Sequence, residues 1–211
     1  MKLTQNIQEQ HQHKILLLPC WTIGNLPQLT IDLLINSFEL EEICSLQHQS
    51  LIASVSPPNY NHIITPTLST TLYGNDTLQC LQLRSTFIAS QYELFCDDLS
   101  QFIQSLKPSK IIFLHSNANR KGKLHEMTIE NKDILDKSPI ALHLYSSLQN
   151  DFECQIINCV CYDGDNRLLA MKMFEFVLKQ LNLNVEMKEM ISWNNSTLWG
   201  DMDDDIRASM F

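Results

Sequence analysis

The sequence predicts an α/β fold: a three-layer domain with a mostly parallel central sheet, a β-hairpin insertion and flanking helices. Three observations predict it. Residues 14–20 (KILLLPC), a continuously apolar run, and 110–115 (KIIFLH) and 154–162 (CQIINCVCY), both mostly apolar, read as strands buried on both faces. Stretches of helical periodicity alternate with these runs, the pattern of a parallel sheet covered by helices. Between them, two strand-like segments, 68–73 and 78–84, flank the turn formers Gly74, Asn75 and Asp76, as in a hairpin.

Each element has its own justification. After the first apolar run, Asn25 is a good N-cap and Pro27 suits a first turn. Leu26, Leu29, Leu33, Leu34 and Phe38 then share one helical face, opposite Gln28, Asp32 and Asn36. From Ile43 to Leu83 the one formally charged residue is Asp76, and Pro57, Pro58 and Pro66 break a stretch whose threonines favour strands. Ser90 with Glu93 predicts a capping box; Tyr92, Phe95, Leu99, Phe102, Ile103 and Leu106 trace the helix that follows, which stops before Pro108. Residues 116–123 read as a polar, basic loop, and 134–148 as helical on either side of Pro139. Asp163, Gly164, Asp165 and Asn166 turn the third strand into a last helix through Leu181, with Asp165 as its cap. That helix is apolar nearly all round, with only Lys172, Glu175 and Lys179 as a polar stripe, so it is expected to be buried by the sheet plus neighbouring helices or another subunit. The predicted organisation is a polar leader (1–13), one α/β domain (14–184) and an acidic, Trp-containing tail (185–211).

Composition narrows the function. The 211 residues carry a net charge of −9, and the arginines stand apart at Arg84, Arg120, Arg167 and Arg207, so no basic footprint for nucleic acid is present. Charged residues make up 18% of the chain against a usual value of about 25%, so much of the surface is neutral. The five glycines form neither GxGxxG nor GxxxxGK[ST], which removes the common nucleotide loops; no cofactor is expected. The leader lacks the apolar stretch of a secretory signal, and Pro19, Gly24, Asn25 and Pro27 interrupt the one uncharged run that could suggest a membrane helix. An intracellular chain with no membrane partner is expected. Seven cysteines, mostly within apolar runs, read as reduced core thiols, and neither Cys159 with Cys161 nor His125 with Glu126 has the partners of a metal site.

Ligands of open α/β sheets gather beyond the carboxyl ends of the strands, here residues 21–25, 115–119 and 162–166. His115, Ser116 and Asp163 could be assembled there as a hydrolytic set, which makes a small hydrolase or phosphorylase-like enzyme the alternative function; no GxSxG elbow surrounds Ser116. The charge-poor stretch has two explanations, a sheet covered by the protein's own helices or a sheet partly covered by a partner. The tail, with Trp193, Trp199, Met210 and Phe211 beside Asp201, Asp203, Asp204 and Asp205, is read as partner-binding, since aromatic anchors are enriched where proteins meet.

Three blocks carry a family resemblance: Leu81, Gln82, Leu83, Arg84, Ser85, Thr86, Phe87 and Ile88; Gly24 and Asn25 with Gln28, Leu29, Asp32 and Leu33; and Asp163, Gly164, Asp165 and Asn166. Taken in chain order, 24–33, 81–88 and 163–166, they resemble the PAC2 family of proteasome assembly chaperones. The resemblance implies an α/β domain and a non-enzymatic chaperone subunit. It implies pairing with a proteasome assembly chaperone 1-like subunit, binding to proteasome alpha subunits, promotion of 20S alpha-ring assembly and prevention of off-pathway ring dimers, in the cytoplasm and nucleus. Relatives can end in a hydrophobic residue, an aromatic residue and one last residue that insert between alpha subunits. Here Ser209, Met210 and Phe211 place the aromatic last.

Overall fold

The computed structural model describes residues 13–52, 55–56, 60–68, 70–85, 88–118, 126–161 and 164–190. Strand β1 (Ile15–Pro19) leads into α1 (Leu26–Ser37), and β2 (Glu41–Ser45), β3 (Val55–Ser56), β4 (Thr67–Leu68), β5 (Thr70–Gly74) and β6 (Leu78–Leu83) form the β-rich region. They are followed by α2 (Tyr92–Leu106), β7 (Lys110–Asn117), β8 (Met127–Glu130), α3 (Pro139–Leu148), β9 (Glu153–Val160) and α4 (Arg167–Leu181). Seven strands form one sheet in the order β2-β5-β6-β1-β7-β9-β8, and β3 and β4 pair separately. The centre, β6-β1-β7-β9, is parallel; β5 and β8 run antiparallel to their inner neighbours, and β2 antiparallel to β5. The fold is the mostly parallel, three-layer α/β domain that the sequence predicts.

Strand alternation divides the core in two. Leu17 of β1, Ile112 and Leu114 of β7, and Ile157 and Cys159 of β9 face α1 and α4. Leu16, Leu18, Ile111, Phe113 and Ile156 face α2 and α3. Successive residues of a strand point to opposite faces, so a continuously apolar run is what a strand covered on both sides requires. The same geometry explains the missing charges in β5 and β6. Tyr73, Leu78 and Cys80 are buried beneath α1, and Leu72, Leu81 and Leu83 beneath α2. The protein's own helices therefore cover β5 and β6.

The hairpin turns where expected, with a division of labour inside the turn. Asn75 Oδ1 accepts from the backbone N–H of Thr77 (2.8 Å) and Leu78 (3.1 Å), whereas Gly74 is still paired in β5, opposite Gln79. A Cβ at Gly74 would stand 2.7 Å from Ile43 Cδ1, so it is close packing that calls for glycine here.

Several local expectations are corrected. Asn25 does precede α1, but it has a left-handed backbone (φ 50°) and its side chain caps nothing, because the chain enters the helix through a 3₁₀ turn whose Gly24 is also left-handed (φ 72°). The Ser90–Glu93 capping box does not form: Ser90 lies in a 3₁₀ turn, α2 begins at Tyr92, and Glu93 accepts from the Tyr92 hydroxyl. Pro139 starts α3 after a 3₁₀ turn, as tolerance of proline in a first turn allows. The polar stripe of α1 is buried, since residues 60–63 and 182–190 lie across it. Asn36 donates to the carbonyls of Lys188 (2.9 Å) and Glu189 (3.1 Å) and accepts from the Asn61 N–H (2.8 Å). Ser37 Oγ accepts from the Lys188 N–H, and Met190 is buried in the same core. With α1 beside it and the sheet beneath, the nearly all-apolar α4 is accounted for within one chain, apart from Leu168, which is exposed.

Candidate functional site

At the carboxyl ends of the parallel strands, the chain leaves β1, β7 and β9 in turns tied to one another. Cys20 N–H donates to the Leu114 carbonyl (2.8 Å) and Cys161 N–H to that of Asn117 (2.9 Å), extending the ladders beyond the strands. Thr22 Oγ1 and Ser116 Oγ share a hydrogen bond of 2.7 Å. Asn166, just ahead of α4, donates to the Gly24 carbonyl (3.1 Å), joining the β9–α4 turn to the β1–α1 turn. Trp21 Nε1 donates to the Ser85 carbonyl (3.2 Å), and its ring meets Phe95 edge-on at 5.6 Å. Asp165 accepts from Arg167 N–H (3.0 Å) and from its guanidinium (2.6 Å), so the predicted cap carboxylate does secure the start of α4, with Asn166 as the cap residue.

Below this rim lies a polar knot that no single stretch of sequence announces. Asp32, in the middle of α1, is buried, and its Oδ1 accepts from Tyr60 OH (2.7 Å), from Gln82 Nε2 and from Arg84 (2.5 Å). Arg84 also donates to Tyr60 OH (3.0 Å) and lies over its ring. Burial raises the Asp32 carboxyl above its ordinary range, against the pull of Arg84, Tyr60 and Gln82. Burial likewise works against the Arg84 guanidinium, but the Asp32 carboxylate and Tyr60 more than offset it and its pKa is raised. The sequence held one signal for this knot: from residue 40 to 106, Arg84 is the one Lys or Arg, and a lone guanidinium in an apolar region needs a carboxylate.

The suggested hydrolytic set is not assembled among the described residues. His115 and Ser116 are neighbours on β7 and point to opposite faces. His115 Nδ1 bonds Asn158 Oδ1 (2.9 Å) and its Nε2 bonds Ser138 Oγ (3.0 Å) under α3, while Ser116 meets Thr22 on the other face. Burial lowers the His115 pKa, partly offset by Asn158. Asp163 lies outside the described residues, as do Trp193, Trp199, Met210 and Phe211. Among the described residues, no cluster of three His, Cys, Asp or Glu is placed to hold a metal ion, and no helix is long and apolar enough to cross a membrane.

A parallel core, two helices on each face and a rim of interlocked polar side chains define a three-layer α/β scaffold suited to holding its strand-end loops rigid. The chain belongs to the PAC2 family, whose model matches residues 16–188. It is 31% identical over 111 residues to proteasome assembly chaperone 2 of Mus musculus; the match takes in 48% of this chain and 41% of the mouse protein. The fold is shared with a Thermoplasma acidophilum protein of unknown function, at a TM-score of 0.66, 10% identity and 86% and 81% coverage of the two chains. It is also shared with Pyrococcus furiosus PbaA, an archaeal homolog of proteasome-assembly chaperone, at a TM-score of 0.63, 12% identity and 83% and 84% coverage. Pyrococcus furiosus PbaB, an archaeal proteasome activator, aligns at 0.58 with 12% identity and 83% and 86% coverage.

The three sequence blocks now have a common place. Gln28 and Asp32 from the block at 24–33, Gln82, Arg84 and Ser85 from that at 81–88, and Asn166 from that at 163–166 meet at one end of the sheet: Gln28 donates to the Cys20 carbonyl and Gln82 to the Gln28 carbonyl, beside the Arg84–Asp32, Trp21–Ser85 and Asn166–Gly24 bonds.

Proposed function

We propose that this chain is a proteasome assembly chaperone subunit without catalytic activity. It pairs with a proteasome assembly chaperone 1-like subunit, and the pair binds proteasome alpha subunits, promotes 20S alpha-ring assembly and hinders off-pathway ring dimers. The observation that carries the reading is the family match over residues 16–188, joined by the identity to the mouse chaperone. The strand ends support it, because the proposed hydrolytic side chains are held by structural bonds on opposite faces: Ser116 to Thr22, and His115 to Asn158 and Ser138. In this role the protein works in the cytoplasm and nucleus. Affinity purification of the tagged chain from native lysate, followed by mass spectrometry, tests it. Alpha subunits and a related chaperone are expected to co-purify. Their absence, together with a hydrolase or phosphorylase turnover abolished by a folded His115→Ala variant, would replace this reading with the enzymatic one.

A further inference from the structure

We propose that the surface beside the N-terminus of α2, centred on Ile52, Ile88 and Leu94, is where this chain holds its related chaperone subunit, through an apolar face of that subunit flanked by Lys or Arg. The inference rests on the proposed pairing and gives it a location and a chemistry.

Seven large apolar residues are exposed among the described residues: Ile52, Val55, Ile64, Ile88, Leu94, Ile129 and Leu168. Isolated ones need no explanation, but a cluster does. Three of them are brought together by hydrogen bonds between segments distant in sequence. Ser85 Oγ donates to the Ile52 carbonyl, and the Ile88 N–H donates to the Ser50 carbonyl at 2.8 Å. Ser50 Oγ then donates to Gln91 Oε1 at 3.0 Å, and the Gln91 N–H to the Ile88 carbonyl at 2.8 Å. Leu94 stands in the first turn of α2, one turn beyond Gln91. Ile52 is 53% exposed and Ile88 and Leu94 each 43%, although all three are carried on backbone tied by these bonds. A rigid apolar surface of this kind gives a partner burial without a large ordering cost.

Charge selects the occupant. From residue 40 to 106 the one Lys or Arg is Arg84, and it is turned inward onto Asp32. Around Leu94 stand Glu93 and Asp97, both exposed, with Asp98 behind them; Asp97 is bonded to His143 Nε2 (2.8 Å) and Asp98 to His48 Nε2 (3.0 Å), which leaves Glu93 as the carboxylate without an ion-pair partner among the described residues. A second copy of this chain would bring carboxylates against carboxylates, a juxtaposition that opposes self-association. A related chain with an apolar face and cationic flanks satisfies both features.

The test uses the full chain and the proteasome assembly chaperone 1-like chain of the same organism, with the dissociation constant and association rate measured at low and high salt. Ile88→Asp and Leu94→Asp are each expected to weaken binding about tenfold or more. Glu93→Lys should slow association and flatten its salt dependence, and Leu168→Asp, at a more exposed leucine (60% against 43%) on α4, should change nothing. Circular dichroism establishes that each variant is folded. If wild type binds and both aspartate variants bind equally well, the surface is elsewhere and the inference falls while the pairing stands. If the aspartate variants lose alpha-subunit binding and keep the chaperone partner, the assigned occupant is wrong. If wild type binds neither chaperone partner nor alpha subunits, the proposed function fails and the inference goes with it.

Discussion

Asp32→Ala is the most informative single change, because three side chains from other parts of the chain converge on one carboxylate oxygen. The substitution takes the acceptor from Tyr60, Gln82 and Arg84 at once. Arg84, with its side chain 20% exposed, then keeps a largely buried charge with no counter-ion. Breaking a buried pair in this way costs about 3–5 kcal/mol, a large part of the roughly 5–15 kcal/mol that holds a domain together. At about 2–4 °C per kcal/mol for a chain of this size, the melting temperature should drop by roughly 6–20 °C. Urea unfolding at neutral pH measures the loss directly. The double variant Asp32→Leu, Arg84→Met should recover much of it, since two apolar side chains leave no orphan charge. If Asp32→Ala stays within about 0.5 kcal/mol of wild type, the range of an ordinary surface substitution, the argument that this knot anchors α1 to β6 is refuted.

Other outcomes follow from particular contacts. Burial depresses the His115 pKa, so the folded form binds fewer protons than the unfolded chain, and the stability present above the ordinary histidine value of about 6.5 is lost as pH falls below it. His115→Gln should flatten that acid limb of the stability profile; superimposable limbs would remove His115 as its source. Gly74→Val should cost about 1–3 kcal/mol in urea unfolding, because the new Cβ would lie 2.7 Å from Ile43 Cδ1 and 2.9 Å from Gln79 Cγ. Deleting Met210 and Phe211 should weaken alpha-subunit binding by the chaperone pair about tenfold while leaving the pairing unchanged. Equal affinities would take the anchoring role away from this terminus.

The fold class was legible because its signals are local. Three apolar runs require strands with both faces covered, and the faces of α1, α2 and α4 show as spacings along the chain. Strand β8 escaped this reading: Met127–Glu130 is a four-residue edge strand whose existence depends on pairing with β9, 26 or more residues away, and its own alternation is too short to register. Asn25 takes the N-cap position of α1 as expected but makes no cap bond, and the Ser90–Glu93 box does not form, because 3₁₀ turns precede both helices and their placement depends on how the strand ends dock.

Asp32 and Asn36 show most plainly what the sequence by itself could determine. It determined that α1 has an apolar face and a polar one, because side-chain spacing on a helix is a property of the backbone alone. It could not determine that the polar face would be covered. Asp32 is buried because Arg84, 52 residues on, and Tyr60, 28 residues on, fold over it, and Asn36 because residues 188 and 189 return along the helix. Likewise the scarcity of charge from Ile43 to Leu83 suggested a covered region, and only the assembled layers showed that α1 and α2 cover its strands β5 and β6. A residue's chemistry is written locally, but its burial is the sum of every segment that packs against it, and that sum exists only once the chain has folded.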